Sequence, residues 1–209
     1  MKIDFNHIDA VIFDLGGVIL NIDYQATIDA FTDLGIENFQ EQFSQLKQNK
    51  LFDDYETGRI NSQAFLNALQ SILPSGVSSQ AILDAWNAIL KDLPPHRLHV
   101  LEQVKKQKPT FLLSNTNDLH IQSFNQYLSK TFNLDSLAPY FDKLYLSYEV
   151  GMRKPDAEIF EHVLNEQRLK PERTLFIDDT IIHIESARSL GIQTLHLTKG
   201  IDIAMLLKE

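Results

Sequence analysis

The sequence predicts an α/β fold in which a doubly wound parallel sheet carries an inserted α-helical unit. Two observations lead to this prediction. Short apolar runs alternate with helical segments over most of the 209-residue chain, which is the pattern of a parallel sheet covered by helices on both faces. One long stretch in the first half breaks the alternation, because its helical segments follow one another without a strand between them.

Five short apolar runs predict five buried strands. The first run stops at Asp14 and is followed by the turn-forming pair Gly16-Gly17, so a strand ends there. The five runs lie at residues 10–13, 110–113, 143–146, 174–177 and 193–197.

Four helical segments lie between or after these strands, at residues 97–106, 119–128, 157–167 and 181–190. Gly191 follows the last segment, and a glycine in this position is typical of a helix C-terminus. Because each helix connects one strand to the next, the strands are expected to run parallel.

Residues 24–93 form the stretch that breaks the alternation, and we call this helical region the insert. Turn signals at Gly35, at 56–58 and at 74–76 separate its helices, and Pro94-Pro95 ends it. We therefore predict a core domain made of residues 1–22 and 94–209, and an insert domain at 23–93. Trp86 belongs to an apolar stripe at helical spacing, which predicts internal packing rather than ligand contact.

The composition predicts a soluble globular protein and excludes several classes of function. With 44% hydrophobic and 22% charged residues the chain can bury a core. Zero cysteines exclude disulfides and thiolate sites and fit a reducing cytoplasm, where we expect the protein. A net charge of -9 disfavours nucleic acid as a partner, and no apolar run is long enough to span a membrane.

Polar residues follow the predicted strands at four places: Asp14, Ser114-Asn115, the Lys154 loop and Asp178-Asp179. The carboxyl ends of parallel strands share one edge of the sheet, so these residues should converge there. Three carboxylates in one crevice repel one another unless a cation neutralises them. Hard oxygen ligands without histidine or cysteine favour Mg²⁺ as that cofactor.

A magnesium site of this kind indicates phosphoryl transfer, since bound Mg²⁺ is usually completed by substrate phosphate. Lys154 supplies a positive charge for the transferring oxygens, and Ser114 and the backbone N–H groups at 115–117 can donate to them. One carboxylate then acts as the nucleophile and forms an aspartyl-phosphate. Asp14 is the best candidate, because it ends the first strand beside two glycines.

These segments resemble the four motifs of the haloacid dehalogenase (HAD) superfamily, in order and spacing. They are Phe13-Asp14-Leu15-Gly16-Gly17-Val18, Leu113-Ser114-Asn115, Arg153-Lys154-Pro155 and Ile177-Asp178-Asp179. The stretches at 113–117 and 151–155 look especially like the α-D-glucose-1-phosphate phosphatase branch. The resemblance covers nearly the whole chain. It implies a Rossmann-like core, a helical cap after the first motif, Mg²⁺ and hydrolysis of a small phosphorylated metabolite.

Carried over to this sequence, the resemblance implies a role for each motif residue. Asp14 would be the nucleophile and a metal ligand, and the Gly16 carbonyl would be a second ligand. Asp179 would bind the metal directly or through water, with Asp178 as its partner. The phosphoryl group would be held by Ser114, the Asn115 amide and Lys154.

The sequence departs from the superfamily pattern at two positions. Gly16 stands where most phosphatases of the superfamily have an Asp that serves as general acid and base, a gap that the glucose-1-phosphate phosphatase branch shares. Asp23 is a candidate replacement acid, although an N-terminal helix cap is the expected role. His183 stands where the family usually has Asp or Asn. Two further polar residues, Arg59 and His120, are expected at the surface; the alternatives are that Arg59 reaches the substrate and that His120 faces the crevice.

Three functional hypotheses follow from the motifs. The leading one is a phosphatase of a small phosphate monoester, of which a sugar phosphate is one candidate. A haloacid dehalogenase also uses a strand-end Asp but needs no metal, so the retained pair Asp178-Asp179 argues against it. The third hypothesis is a phosphate-binding or regulatory protein that lost turnover through the changes at Gly16 and His183. For the phosphatase, the segment 56–59 is the nominated substrate-specificity loop.

Overall fold

The computed structural model describes residues 5–36, 50–198 and 200–207. Its centre is a five-stranded, fully parallel sheet with the strand order β3-β2-β1-β4-β5. The strands are β1 (Ala10–Phe13), β2 (Thr110–Ser114), β3 (Lys143–Leu146), β4 (Thr174–Asp178) and β5 (Gln193–His196). The predicted α/β class with a parallel sheet is confirmed.

Strand β1 lies in the middle of the sheet and is buried on both faces. Ile12 pairs with Phe111 of β2 on one side and with Phe176 of β4 on the other. Val11 and Phe13 pack in the core on one face of the sheet, and Ile12 packs on the opposite face. Burial on both faces explains why the strand is a continuous apolar run rather than an alternating one.

Nine α-helices lie within the described residues. They are α1 (Tyr24–Asp33), α2 (Leu51–Glu56), α3 (Ser62–Gln70), α4 (Ser79–Asn87), α5 (Pro95–Lys105), α6 (Asp118–Phe132), α7 (Ser147–Val150), α8 (Ala157–Gln167) and α9 (Ile181–Ser189). Helices α5 and α6 contribute to the core on one face of the sheet, and α8 and α9 to the core on the other. The sheet is therefore doubly wound.

The insert helices α1 to α4 share an apolar cluster, which also includes Leu119 of α6. Its centre is aromatic: the Trp86 ring stacks on Phe52 at a centroid distance of 5.7 Å and meets Phe65 edge-on at 4.7 Å. The internal packing expected of Trp86 is thus observed, although Trp86 also lines the cavity at the edge of the sheet. Part of the insert, residues 37–49, lies outside the described residues, and the predicted domain limits 1–22 with 94–209 and 23–93 stay a prediction.

The described helices include none that is both long and apolar enough to cross a bilayer. The longest of them, α6, begins at the N-cap Asn117 and ends at Asn133, whose φ of 56° is left-handed. It extends beyond the predicted range 119–128 because Asn, like Gly, tolerates the left-handed conformation that closes a helix.

Candidate active site

The carboxyl ends of the central strands open into a cavity of about 460 Å³. Core residues form its floor and insert residues form part of its wall. The residues that line it include the following polar side chains: Asp14, Tyr24, Thr27, Asp53, Glu56, Ser114, Asn115, Thr116, His120, Arg153, Lys154, Asp179, Thr180 and His183. The four strand-end motifs therefore do converge at one edge of the sheet, as the parallel topology requires.

Lys154 connects two of the predicted carboxylates. Its Nζ lies 2.8 Å from Asp14 Oδ1 and 2.7 Å from Asp178 Oδ2. The Lys154 side chain is fully buried, and a buried ammonium needs paired charges to offset the loss of hydration. The two aspartates provide them, so Lys154 is held at a fixed position beside Asp14.

Asp178 lies behind the cavity floor and has every side-chain oxygen engaged. Its Oδ1 accepts from the backbone N–H of Thr180 at 2.7 Å, and its Oδ2 accepts from Lys154. His183 Nδ1 lies 3.1 Å from both oxygens. His183 thus faces Asp178, at the position where the superfamily usually has Asp or Asn.

Asn115 fixes the loop that carries Lys154. Its side-chain Nδ2 donates to the Lys154 carbonyl at 2.8 Å, and its Oδ1 accepts from the Lys154 N–H at 2.9 Å. This reciprocal pair uses the Asn115 Oδ1 and one of the two Nδ2 hydrogens. Ser114, which ends β2 and is 2% exposed, lines the same cavity.

Asp14, Asp178 and Asp179 form one cluster, with a carboxylate oxygen of each lying within 4.8 Å of the others. Gly17 has a φ of 72°, and a Cβ at this position would overlap the Asp179 carboxylate. Glycine is therefore needed here both for its left-handed backbone and for the space beside Asp179.

Charge balance supports a divalent cation at this cluster. Burial raises the pKa of Asp14 to about 7, with Lys154 opposing and Asp178 adding to the rise. Burial and Asp178 also raise the pKa of Asp179. Burial would raise the pKa of Asp178 too, but Lys154 and then His183 lower it to about 2. When all three carboxylates are ionised, one lysine leaves two negative charges, which a divalent cation would neutralise, and an all-oxygen donor set fits Mg²⁺.

Gly16 lines the cavity and carries no acid. A Cβ there would lie 3.1 Å from Ile22 Cδ1, so a larger residue would require Ile22 to move. Asp23 is the N-cap of α1: its Oδ1 accepts from the N–H groups of Gln25 at 3.0 Å and Ala26 at 3.4 Å. The expected capping role of Asp23 is observed.

Arg59 and His120 have different environments. Arg59 is at the surface as expected, with a side chain 65% exposed and paired with Asp54. The surface position expected for His120 is wrong. Its ring stacks on Trp86 at a centroid distance of 4.9 Å and its Nε2 lies 3.2 Å from the Trp86 carbonyl. Helix α4 covers it, and burial lowers the His120 pKa to about 4.

Other residues of the cavity were not selected from the sequence. Arg153 forms ion pairs with Asp53 and with Glu56, which connect the Lys154 loop to helix α2 of the insert. The position of Arg153 next to Lys154 in a sequence motif was the signal that could have identified it as a site residue. Thr27 on α1 also lines the cavity, and nothing in its sequence context distinguishes it from other helical threonines.

The parallel doubly wound sheet, with a carboxylate cluster in the cavity at its edge, is a Rossmann-like α/β core with a candidate metal site. The family model described as haloacid dehalogenase-like hydrolase matches residues 8–191. The chain belongs to this family and is a hydrolase, so the resemblance noted in the motifs is confirmed.

Three relatives place the chain within the family. It is 30% identical over 194 residues to D-ribitol-5-phosphate phosphatase of Bacteroides thetaiotaomicron, which covers 92% of this chain and 93% of the relative. It is 28% identical to a sesquiterpene phosphatase of Aspergillus oryzae, with 96% and 95% covered. A crystal structure of a HAD family enzyme from B. thetaiotaomicron, in complex with magnesium and inorganic phosphate, matches with a TM-score of 0.85. That match has 35% identity and covers 96% of this chain and 100% of the other.

Proposed function

We propose that this hydrolase is a Mg²⁺-dependent phosphatase of small phosphate monoesters, with Asp14 as its nucleophile. The observation that carries the proposal is the contact of the buried Lys154 with Asp14 and Asp178 at the floor of one cavity. The relatives support it, because the named homologues are phosphatases and a similar structure holds magnesium and phosphate.

Asp14 and Asp179 would hold the metal ion with the Gly16 carbonyl, and Asp178 would assist them chiefly by fixing Lys154. The Asp178 oxygens already accept hydrogen bonds from Lys154 and Thr180, which favours this supporting role. When bound, Mg²⁺ supplies charge neutralisation for the carboxylates and for the phosphate oxygens. Lys154, Ser114 and the Asn115 backbone N–H would bind the remaining phosphate oxygens.

In the proposed reaction an oxygen of the Asp14 carboxylate attacks phosphorus, and the bond from phosphorus to the ester oxygen breaks. The alcohol leaves after it takes up a proton. Water then attacks the phosphorus of the aspartyl-phosphate, which releases inorganic phosphate and restores the Asp14 carboxylate. The Lys154 ammonium stays beside Asp14 through both steps.

Without an acid at Gly16, the departing alkoxide would take its proton from water in the cavity. General acid catalysis is typically worth 10²–10⁴-fold. We therefore expect turnover to be fastest on esters whose alcohols need little protonation, such as aryl or anomeric phosphates. The substrate would be a small phosphorylated metabolite. We also propose that the protein is cytoplasmic and that the insert acts as a cap over the active site.

The test is release of inorganic phosphate from an aryl phosphate by the purified chain, with Mg²⁺ and with a chelator. We expect activity only with Mg²⁺, and a loss of at least about 10³-fold in Asp14→Asn. Asp23→Asn is the matched control, because it makes the same change at the helix cap outside the cavity. Absence of turnover on every monoester tried, with Mg²⁺ bound, would favour the phosphate-binding alternative.

A further inference from the structure

The wall that the insert and its connections to the core contribute to the active-site cavity is largely apolar. Four apolar side chains of this wall line the cavity and are only partly buried, so they present carbon surface to whatever fills it: Ile22, Ile28, Ile89 and Leu90. Tyr24, at the start of α1, lines the cavity and is 70% exposed, which places an aromatic ring at the entrance. We call these five residues the apolar wall.

The apolar wall is held in position by the two connections between the core and the insert. Ile22 and Leu90 form an antiparallel bridge between these connections. Next to the bridge, the Asp23 N–H donates to the Ile89 carbonyl at 2.9 Å. A site whose shape is fixed before binding loses little entropy when a ligand enters, so the wall is preformed for an apolar group.

Few hydrogen-bonding groups of the described residues are available beside the apolar wall. The Thr27 hydroxyl has no hydrogen-bond partner among those residues, but its oxygen has almost no accessible surface and cannot reach a substrate. The His120 ring nitrogens are engaged, because Nε2 lies 3.2 Å from the Trp86 carbonyl and Nδ1 lies 3.1 Å from the Asn117 side-chain amide. The hydroxyls of a sugar or polyol would lose their bonds to water here without gaining new partners, which costs free energy.

Ion pairs engage the charged side chains on the insert side of the cavity. Arg153 Nη1 pairs with Asp53, and its Nη2 lies 3.0 Å from Glu56 Oε2. The Arg153 Nε has as little accessible surface as the Thr27 hydroxyl. In the described part of the chain, Arg153 and Lys154 are the lysine and arginine side chains that line the cavity, and Lys154 serves the phosphoryl group. No such side chain is left there to bind a second anionic group of a substrate.

We infer that the enzyme selects phosphate monoesters of apolar, uncharged alcohols over sugar and polyol phosphates. The alcohol lies on the apolar wall, where burial of its carbon surface contributes to binding in proportion to the area removed from water. The cavity of about 460 Å³ has room for a single ring or a short chain beside the phosphoryl group. The inference rests on the proposed phosphatase function, and Ile28 is a specificity-determining residue that takes no part in the chemical steps.

The test compares two esters that share one carbon ring and differ only in the ring hydroxyls, cyclohexyl phosphate and myo-inositol 1-phosphate. Electron-withdrawing hydroxyls make inositol the better leaving group, so a preference for cyclohexyl phosphate has to come from binding. The wild type should show a kcat/KM at least about 10-fold higher on cyclohexyl phosphate. It should also prefer n-hexyl phosphate to hexane-1,6-diol bisphosphate by about 10-fold, because the second phosphate meets the Asp53 and Glu56 carboxylates.

Ile28→Thr replaces part of the apolar wall by a hydroxyl. It should lower kcat/KM on cyclohexyl phosphate by about 5-fold and change kcat/KM on myo-inositol 1-phosphate by no more than about 2-fold. Ile28→Val removes a single methylene group, should cause a smaller loss on cyclohexyl phosphate alone, and serves if Ile28→Thr does not fold. Ile72→Thr is the matched control, because Ile72 packs on the same insert cluster without lining the cavity, and it should change neither kcat/KM.

Equal kcat/KM of the wild type on the two ring phosphates, a preference for myo-inositol 1-phosphate, or a preference for the bisphosphate would overturn the inference. Equal losses on both ring phosphates in the Ile28 variants, or no loss on either, would overturn it as well. In those cases the phosphatase function stands, because a monoester is still hydrolysed. A wild type inactive on all these esters and on aryl phosphate with Mg²⁺ refutes both the proposed function and the inference.

Discussion

Gly17 determines where the Asp179 carboxylate can lie. Its backbone is left-handed at a φ of 72°, and the space that a side chain would need is filled by Asp179. An Asp179 carboxylate displaced from this position could no longer share a cation with Asp14. A residue without a side chain is therefore as much a part of the proposed metal site as the carboxylates.

Gly17→Ala should weaken Mg²⁺ binding by at least about 10-fold, the typical effect of disturbing the groups that position a metal ligand. Isothermal titration with Mg²⁺ measures this directly. Gly76→Ala is the matched control, since Gly76 has a left-handed φ of 96° and no atom within 4 Å of its added Cβ. The Gly76→Ala variant has the strain of a left-handed backbone, but its added Cβ collides with no other atom. Equal Mg²⁺ affinity of the folded Gly17→Ala variant and the wild type would contradict the proposed site.

Helix α1 connects the core to the insert and begins at a side-chain cap. Asp23 satisfies two backbone N–H groups of its first turn, which have no partner inside the helix. Its carboxylate is committed to that role and does not line the cavity within the described residues. The proton that the leaving group needs is thus not expected to come from Asp23.

Asp23→Ala should lower the free energy of unfolding by about 1 kcal/mol and change the rate of phosphate release by no more than about 2-fold. Asn61→Ala, which removes the cap that accepts from Ala64 at 2.9 Å, is the control and should cost a similar amount of stability. Chemical denaturation and a phosphate-release assay measure the two effects. If Asp23→Ala were as stable as the wild type and far slower, Asp23 would be the missing acid.

The elements of the core could be predicted from the sequence because a parallel sheet leaves a strong local signal. Strands buried on both faces are short apolar runs in the sequence. Strand β1 and helix α8 begin and end at the predicted residues, 10–13 and 157–167. The strand-end residues Asp14 and Lys154 converge because topology, not local sequence, brings parallel strand ends together.

Contacts between the insert and the core could not be predicted in the same way. His120 reads as a surface residue of an amphipathic helix, and only the position of helix α4 over it makes it partly buried. The unpaired Thr27 hydroxyl also has no sequence signal, since most helical threonines bond to their own backbone. Both depend on how the helices of the insert pack against the core, which no local sequence pattern records.

At the scale of the whole molecule, partly buried polar contacts connect the insert to the core beside the cavity. Tyr55 of α2 donates to Asp118 Oδ1 at the start of α6 at 2.6 Å, and Ser62 of α3 donates to the other oxygen. His120, two residues after Asp118 on α6, stacks on Trp86. These contacts hold the insert residues of the cavity wall against the core residues of the cavity floor.

Acid should lower the free energy of unfolding through the titration of His120. Its pKa is about 4 in the folded chain, below the ordinary 6.5, so between these values the unfolded chain binds a proton that the folded chain does not. The His120 contribution to stability is therefore complete above pH 6.5 and falls as the pH drops toward 4, by up to about 3 kcal/mol.

The measurement is chemical denaturation at several pH values between 4 and 7, for the wild type and for His120→Phe. The variant keeps an aromatic ring against Trp86 and cannot titrate. Its stability should fall less steeply with acid than that of the wild type, whatever its absolute value. Parallel pH dependences of the two proteins would show that His120 titrates normally in the folded chain.

The central claim is that Asp14 is the nucleophile of a Mg²⁺-dependent phosphatase, and a covalent adduct tests it most directly. The protein is mixed with an aryl phosphate and Mg²⁺, and the reaction is quenched in acid during turnover. The protein is then digested, and the mass of the peptide that contains Asp14 is measured by mass spectrometry. The account predicts a peptide heavier by one phosphoryl group with Mg²⁺, and none with a chelator or in Asp14→Asn. Undiminished phosphate release by Asp14→Asn, or a phosphoryl group on a different residue, would contradict it.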